Sequence, residues 1–476
     1  MSAPTNPPHP TNPPTQPPPR VGAAPGALPL LGHALPLRLR PLAFLASLPA
    51  HGDLVRVRLG PRPAHLVCHP ELVQQVLRDS RTFDKGGPLF DKVRLLTGDG
   101  LATSDWSTHR RQRRLMQPAF HPARMAAYAE VMTEEINNAV GRWRPGTAVD
   151  LNAQMQALTA RIIVRTLFSG QIRPAAIAEI QECLPVFTKG VYRRMIAPFG
   201  LVERLPLPAN RDFQRALDRM HSVIDETIRD YRSTGADQGD LMSMLLAAED
   251  EETGRGLSAE EIHEQVVSLL LGGTETTGNV LSWAFHLLAH HPEAEEKLTA
   301  ELDRVLAGRT PAYTDLPRLE YTRHVITETL RLYPSTWLLS RTTTADTELA
   351  GERLPKGAVV LFSFYAVGRN PALFENAERF DPGRWCSERV ASVPRSAQLS
   401  FGAGSRKCIG DRFALVEAML LLAAVGSRWR LRHVPGTRVR AKPKASLSTG
   451  PLPMIPHRRQ PSHLARATAP EGDATG

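Results

Sequence analysis

Apolar positions along this chain change their spacing more than once. Val55, Val57 and Leu59 alternate with polar residues, the chain turns at Gly60-Pro-Arg-Pro63, and Ala64 to Val67 runs back. That pattern predicts a small β-hairpin. From about residue 70 to 345 the apolar positions recur at three-to-four spacing, which predicts a long run of helices. A second strand-like stretch covers about 347–361, with Pro355-Lys-Gly357 as its turn. Helical spacing returns after residue 409 at Phe413, Val416, Met419 and Leu420. There is no internal repeat. The pattern predicts a mainly α fold with small β-sheets at both ends of one domain.

The most sharply bounded element lies at 258–292. Ser258-Ala-Glu-Glu261 has the form of a capping box and Pro292 is a stop, which predicts a helix of roughly 33 residues, about 50 Å long. Its middle reads Leu271-Gly-Gly-Thr-Glu-Thr-Thr-Gly278. That is a poor helix interior, each glycine costing up to about 1 kcal/mol relative to alanine. Weak propensity at the centre of a strong helix marks function or close packing. The residues alone leave two readings open: an acid and a hydroxyl placed to move protons, or a contact lined with small side chains.

Composition sets the limits of the domain. Among 476 residues 42% are hydrophobic, ample for a large core. Residues 1–28 are rich in Pro, Thr and Asn and read as a disordered tail. Residues 29–456 read as a single domain, and 457–476 as a polar tail that frays. No apolar run approaches about 18 residues, and the first residues lack a basic-then-apolar signal, so the expectation is a cytoplasmic protein with no membrane span. Cys68, Cys183, Cys386 and Cys408 are scattered without CxxC or zinc-like spacing, which fits a reducing compartment. The net charge of +10 raises nucleic-acid binding. The basic residues are nevertheless dispersed rather than interleaved with aromatics, which favours a surface for an acidic protein partner and no nucleic acid.

The densest chemistry is in Phe401-Gly-Ala-Gly-Ser-Arg-Lys-Cys-Ile-Gly410. Glycines at such spacing let backbone pass close to a flat, bulky object. A helix starting near Ile409 would aim its amide end at the sulfur and favour a thiolate. A single thiolate on a loop shaped for a planar partner suggests an axial haem ligand.

This decapeptide resembles the haem-binding signature of the cytochrome P-450 family and matches it at every fixed position. The resemblance implies a haem b (iron protoporphyrin IX) lying between the long central helix and the cysteine loop. It implies Cys408 as the metal ligand, with Phe401, Gly402 and Gly273 against the porphyrin. Glu275 and Thr276 match the family's acid-then-hydroxyl pair and would deliver protons. Propionate partners would be His109 and Arg113, Arg341 and Arg406, because arginine binds carboxylates with two hydrogen bonds. Trp106 and Arg110 fit the first pair's pattern less well. Glu328-Thr-Leu-Arg331 and Arg384, within Phe380-Asp-Pro-Gly-Arg384-Trp385, match a structural trio beneath the cysteine loop.

The implied activity is a haem-thiolate monooxygenase. No flavin or nicotinamide fingerprint is visible, so electrons would come from NAD(P)H through a separate ferredoxin reductase and ferredoxin to a monomeric enzyme. The rivals are a haem-thiolate isomerase or peroxygenase and a haem-dependent sensor or carrier. Pocket-lining segments of the family fall at 86–101, 186–199, 269–276 and 337–339. They contain Leu89, Phe90, Leu95, Leu96, Phe187, Met195, Leu270 and Leu338, which suit a small apolar substrate. From residue 24 to about 456 the chain is similar to actinobacterial members that oxidise cyclic sesquiterpenes in secondary metabolism. Ala24-Pro-Gly-Ala-Leu-Pro-Leu-Leu-Gly-His33, Val191-Tyr-Arg-Arg-Met195 and Leu205-Pro-Leu-Pro-Ala-Asn-Arg211 carry that likeness. It implies stepwise oxidation of an allylic methyl of a pentalenene-like substrate to alcohol and aldehyde.

Overall fold

The computed structural model describes residues 18–168, 173–196, 205–234, 239–250, 252 and 254–459. Eight helices build the site: α1 (Trp106–Met116), α2 (Pro122–Val140), α3 (Leu151–Leu167), α4 (Pro174–Ile196), α5 (Pro208–Thr234), α6 (Ala259–His290), α7 (Glu320–Leu332) and α8 (Asp411–Arg428). The expected capping box starts α6: Ser258 Oγ accepts from the Glu261 N–H at 3.1 Å, and Glu261 Oε2 accepts from the Ser258 N–H at 2.8 Å. The helix ends at His290, just before Pro292, where proline cannot continue the ladder. At 1.5 Å per residue its 32 residues span about 48 Å. It packs along α3 on one side and meets α7 and α8 on the other, so its glycine-rich middle sits at the centre of the helical layer.

The first sheet has strand order β1-β2-β3-β9-β6-β4, from Val21–Ala23, Leu54–Leu59, Arg62–Val67, Val359–Phe362, Leu339–Thr343 and Phe83–Asp84. β2 and β3 are the expected hairpin, in antiparallel register from Leu54↔Val67 to Leu59↔Arg62. The stretch at 347–361 is not one strand: Thr347–Leu349 (β7) and Glu352–Leu354 (β8) form their own hairpin, and only β9 joins the large sheet. The turn between them holds Ala350 and Gly351 at positive φ, and the Pro355-Lys-Gly357 turn follows β8. A second sheet has order β10-β13-β5, from Trp429–His433, Pro453–Arg458 and Val149–Asp150. Lys442–Pro443 (β11) and Leu447–Ser448 (β12) form a last hairpin.

Two boundaries move outward from the sequence expectation. β1 lies inside the segment assigned to the N-terminal tail, where Val21 to Ala23 pair in parallel with Leu54 to Arg56. β13 carries His457 and Arg458 past the expected end, because they pair with Arg430 and Trp429. Composition missed both, since sheet pairing can hold a polar strand. Residues 1–17 and 460–476 lie outside the described residues. Among the described residues no helix is long and apolar enough to cross a membrane.

Candidate functional site

A cavity of about 400 Å³ opens between the middle of α6 and the 400–410 loop. Phe401, Gly402, Arg406, Cys408, Ile409 and Gly410 form one wall, and Ser268, Leu269, Gly272, Gly273, Thr276 and Thr277 form the facing one. The loop folds back on itself: the Cys408 N–H donates to Phe401 O at 2.9 Å, and the Gly402 N–H donates to Leu399 O at 2.8 Å. Gly404 has φ +69°, and an added Cβ would stand 2.3 Å from Leu77 O. Only glycine fits there, so the loop is seated against the helix before β4.

Cys408 is open to the cavity, yet enough protein surrounds it for burial to dominate its chemistry. Burial pushes the thiol up, while the Gly410 N–H, Arg113 and Lys407 pull it back only in part. Asp411, the first residue of α8, adds to the rise. Burial thus opposes the thiolate that the helix amide end favours. A metal held by Cys408 would favour the thiolate, because a coordinating thiol is deprotonated.

One end of the cavity gathers positive charge. Lys85, His109, Arg113, Arg341 and Arg406 all line it, with Asp84 the carboxylate beside them. Arg341 is buried, donates Nη1 to the Ser340 carbonyl, and leaves Nε without a partner. Burial, followed by repulsion from Arg406, pulls its guanidinium down to about 10. Arg406 donates to Asp84 and to Ser104 O, and its Nε is also orphaned. Lys85 Nζ donates to Ala102 O at 2.6 Å, and burial holds it well below the usual lysine range. His109 is pushed down to about 2 by burial and then by Arg406, Lys85, Arg113 and Arg341. Buried cations with unpartnered donors fit a ligand that brings two carboxylates. Arg110 lies outside this cavity and stacks over Trp106 at 6.0 Å, whereas His109 and Arg113 line it.

On α6 the small-side-chain reading of the glycine–threonine stretch describes Gly273 and Gly278, while Gly272 and Thr276 turn to the cavity. Gly273 and Gly278 pack against α3: a Cβ would stand 2.9 Å from Ile163 Cγ1 and 3.1 Å from Gln156 Cα respectively. Gly272 has open space beside it and faces the cavity. Thr276 lines the cavity and donates to Gly272 O at 2.5 Å, while its own carbonyl accepts from Ser335 Oγ at 2.8 Å. Glu275 does not line the cavity. Its carboxylate accepts from Ser446 Oγ at 3.1 Å, and Ser446 in turn accepts from Asn279 Nδ2 at 2.7 Å. The structure thus brings Thr276 to the cavity and holds the acid behind it.

Besides Lys85, the polar residues Glu417 and Ser268 escaped the sequence reading. Glu417 on α8 lines the cavity with neither carboxylate oxygen hydrogen-bonded. Burial pushes it up to about 8, and nearby Thr277 offsets this only partly. Ser268 lines the facing wall with a buried, unpartnered hydroxyl. A lone acid in the apolar run 413–425 was the available signal for Glu417; Ser268 offered none. Of the expected apolar lining, Phe90 is on the cavity wall, whereas Phe187, Leu270 and Leu338 are elsewhere. The side chains of Leu89, Leu95, Leu96 and Met195 lie outside the described residues.

Beneath the loop, Glu328 and Arg331 form a fully buried pair, with Arg331 donating Nη2 to Glu328 Oε1 at 2.7 Å and Nε to Oε2 at 2.8 Å. Arg331 also donates to the carbonyls of Gly368, Ala377 and Arg379. Arg384 approaches Glu328 at 3.5 Å, but the hydrogen bonds come from Trp385 Nε1 and the Asp381 N–H. The trio is a scaffold joining α7 to the segment before the loop, as expected.

A family model for cytochrome P450s, matched over residues 23–456, covers this whole arrangement. The chain is a cytochrome P-450. It is 55% identical over 92% of its length to cyclooctatin synthase of Streptomyces melanosporofaciens, covering 96% of that protein. It is 52% identical to cyclooctat-9-en-7-ol 5-monooxygenase of the same organism, over 91% of this chain and 95% of that one. Pentalenene oxygenase of Streptomyces avermitilis is 44% identical over 88% of this chain and 93% of its own. Among solved structures, the haem domain of cytochrome P-450DA superposes with a TM-score of 0.84 at 28% identity, over 93% of this chain and 99% of that one. The P-450 is thus a monooxygenase of the haem-binding kind, and its fold matches the mainly helical architecture expected from sequence.

Proposed function

We propose that this P-450 oxidises a cyclic, largely apolar terpenoid, using haem b held by Cys408. One observation carries the reading: a single cavity joins a thiol on one wall, a hydroxyl facing it, and a cluster of under-partnered cations at one end. Haem held there by the Cys408 sulfur would supply the oxygen-activating chemistry. Phe401, Gly402 and Gly273, which line the cavity, would pack against its ring. Arg341, Arg406, Arg113, His109 and Lys85 hold its two propionates. The Thr276 hydroxyl passes a proton into the cavity, and Glu275 resupplies it after releasing Ser446.

The substrate class follows from the relatives. Two are named for cyclooctat compounds and one for pentalenene. Ser268 favours a substrate that already bears a hydroxyl, because its buried, unpartnered Oγ needs a partner inside the cavity. The discriminating experiment offers pentalenene and cyclooctat-9-en-7-ol side by side to the reconstituted enzyme and identifies products by mass spectrometry. Preferential oxidation of the alcohol, weakened several-fold by Ser268→Ala, supports the reading. Turnover of the hydrocarbon alone would return the substrate to the sesquiterpene class. Turnover of neither would remove the terpenoid assignment. Alanine at position 408 should abolish the reduced-CO absorption band of thiolate ligation.

The electron donor we assign is a ferredoxin in the cytoplasm. A basic cleft beside the cysteine loop, lined by Arg110, Arg113, Arg114, Arg124 and Arg412 with Ile409, supports an acidic docking partner. Reduction by ferredoxin should slow steeply as ionic strength rises from low to physiological. A salt-independent rate would argue for a different partner.

A further inference from the structure

Far along α6 from the cavity, the helix presents His286-Leu-Leu-Ala-His290 on one face, since residues four apart are neighbours. His433, the last residue of β10, comes up against them. Among the described residues this is the one group of three His, Cys, Asp or Glu side chains whose donor atoms converge, all within 4.8 Å of one another. None of the three lines the haem cavity.

We propose that His286, His290 and His433 form a binding site for one divalent transition ion of the zinc class, which fastens the end of α6 to the β10–β13 sheet. His286 Nδ1 and His433 Nε2 lie 3.1 Å apart. Two imidazole nitrogens on one tetrahedral zinc, at bonds of about 2.0–2.1 Å, stand about 3.3 Å apart, so this pair already has the required edge length. His290 donates Nδ1–H to the His286 carbonyl at 2.9 Å, which fixes its tautomer and leaves Nε2 as the free donor. A backbone carbonyl orienting a ligand histidine in this way is a recurrent outer-shell contact. His433 Nδ1 is buried without a partner, so the trio does not satisfy its own hydrogen-bonding capacity.

The donor set selects the ion. Three imidazoles suit zinc, nickel, cobalt or copper and exclude calcium and magnesium, which need oxygen ligands. Burial, followed by the neighbouring histidines, lowers His286 to about 3. Burial and then His290 lower His433 as well. His290 is exposed, leaving the fourth position open to water. His291 takes no part: its Nδ1 donates to Leu287 O and its ring packs on Phe380.

The test is titration of the haem-loaded, full-length protein with zinc chloride, read by calorimetry and by the thermal unfolding midpoint. One equivalent should bind, raise the midpoint and leave the haem spectrum unchanged. His290→Gln and His433→Gln should each weaken binding roughly a hundredfold and abolish the shift, while His51→Gln, at an exposed site elsewhere, behaves as wild type. His290 is exposed, so its variant remains informative even if the change at His433 impairs folding. The proposal is overturned if the wild type binds no zinc, if binding survives in His290→Gln, or if zinc perturbs the haem spectrum.

Discussion

Replacing Arg341 with methionine separates two quantities that wild-type behaviour mixes. The guanidinium is drawn from 12.5 to about 10, chiefly by burial, which corresponds to about 3 kcal/mol of penalty on the charged form. At pH 7 the group is charged in both folded and unfolded states, so the whole penalty weighs on the haem-free fold. Methionine removes it, together with the hydrogen bond to Ser340 O and the contact over the Phe362 ring at 5.5 Å. Those losses amount to about 1–2 kcal/mol, so the haem-free variant should be more stable by about 1–2 kcal/mol. In the loaded protein the sign reverses. A charge-assisted bond to a propionate is worth about 1.5–3 kcal/mol, so haem should bind roughly ten- to a hundredfold more weakly. Urea unfolding of the haem-free protein measures the first effect, and haem transfer to excess apomyoglobin measures the second. A haem-free variant weaker than wild type, or unaltered haem transfer, would refute the assignment of Arg341 to a propionate.

Three further outcomes are expected. Glu328→Gln leaves Arg331 as a buried charge without its counter-ion, so urea unfolding should show a loss of about 3–5 kcal/mol with reduced haem content. Thr276→Ala should retain haem, yet product formed per NAD(P)H consumed should fall about tenfold or more; Thr276→Ser should restore it. Glu417 has a folded-state pKa raised from 4.5 to about 8, so its protonated form is favoured by folding. Its contribution is full below pH 4.5 and is lost as pH rises toward 8, by up to about 5 kcal/mol. The unfolding free energy of Glu417→Gln should therefore fall less between pH 5 and pH 8 than that of wild type, and parallel pH profiles would exclude a protonated Glu417.

Local signals were the legible ones. Ser258, Glu261 and Pro292 bound α6 to within two residues, because caps and prolines act on the backbone beside them. The hairpin of β2 and β3 was equally plain from alternation and a proline-rich turn. The cysteine loop could be read because its glycines answer to backbone geometry within ten residues. What stayed hidden depends on distant partners. Lys85 joins the cation cluster only because β4 pairs with β6 through Phe83↔Thr343 and Asp84↔Thr342. Glu275 was expected to face the reacting centre, but Ser446, 171 residues away, holds its carboxylate. Gly273 answers to Ile163 on α3 as well as to the cavity. Composition misplaced both ends of the domain because strand pairing, not apolar content, retains β1 and the end of β13.

The β11–β12 hairpin has a reach out of proportion to its size. Its backbone receives the Tyr192 hydroxyl at Pro443 O, the Trp337 indole at Lys444 O and the Trp283 indole at Leu447 O, while Ser446 grips Glu275. Tyr192 belongs to α4, and Trp337 lies just before β6. Anything that shifts either of them tugs on the same short turn, and through it on the latch restraining the acid. On the proposed relay, proton supply would be geared to Tyr192 and Trp337, neither of which lines the cavity.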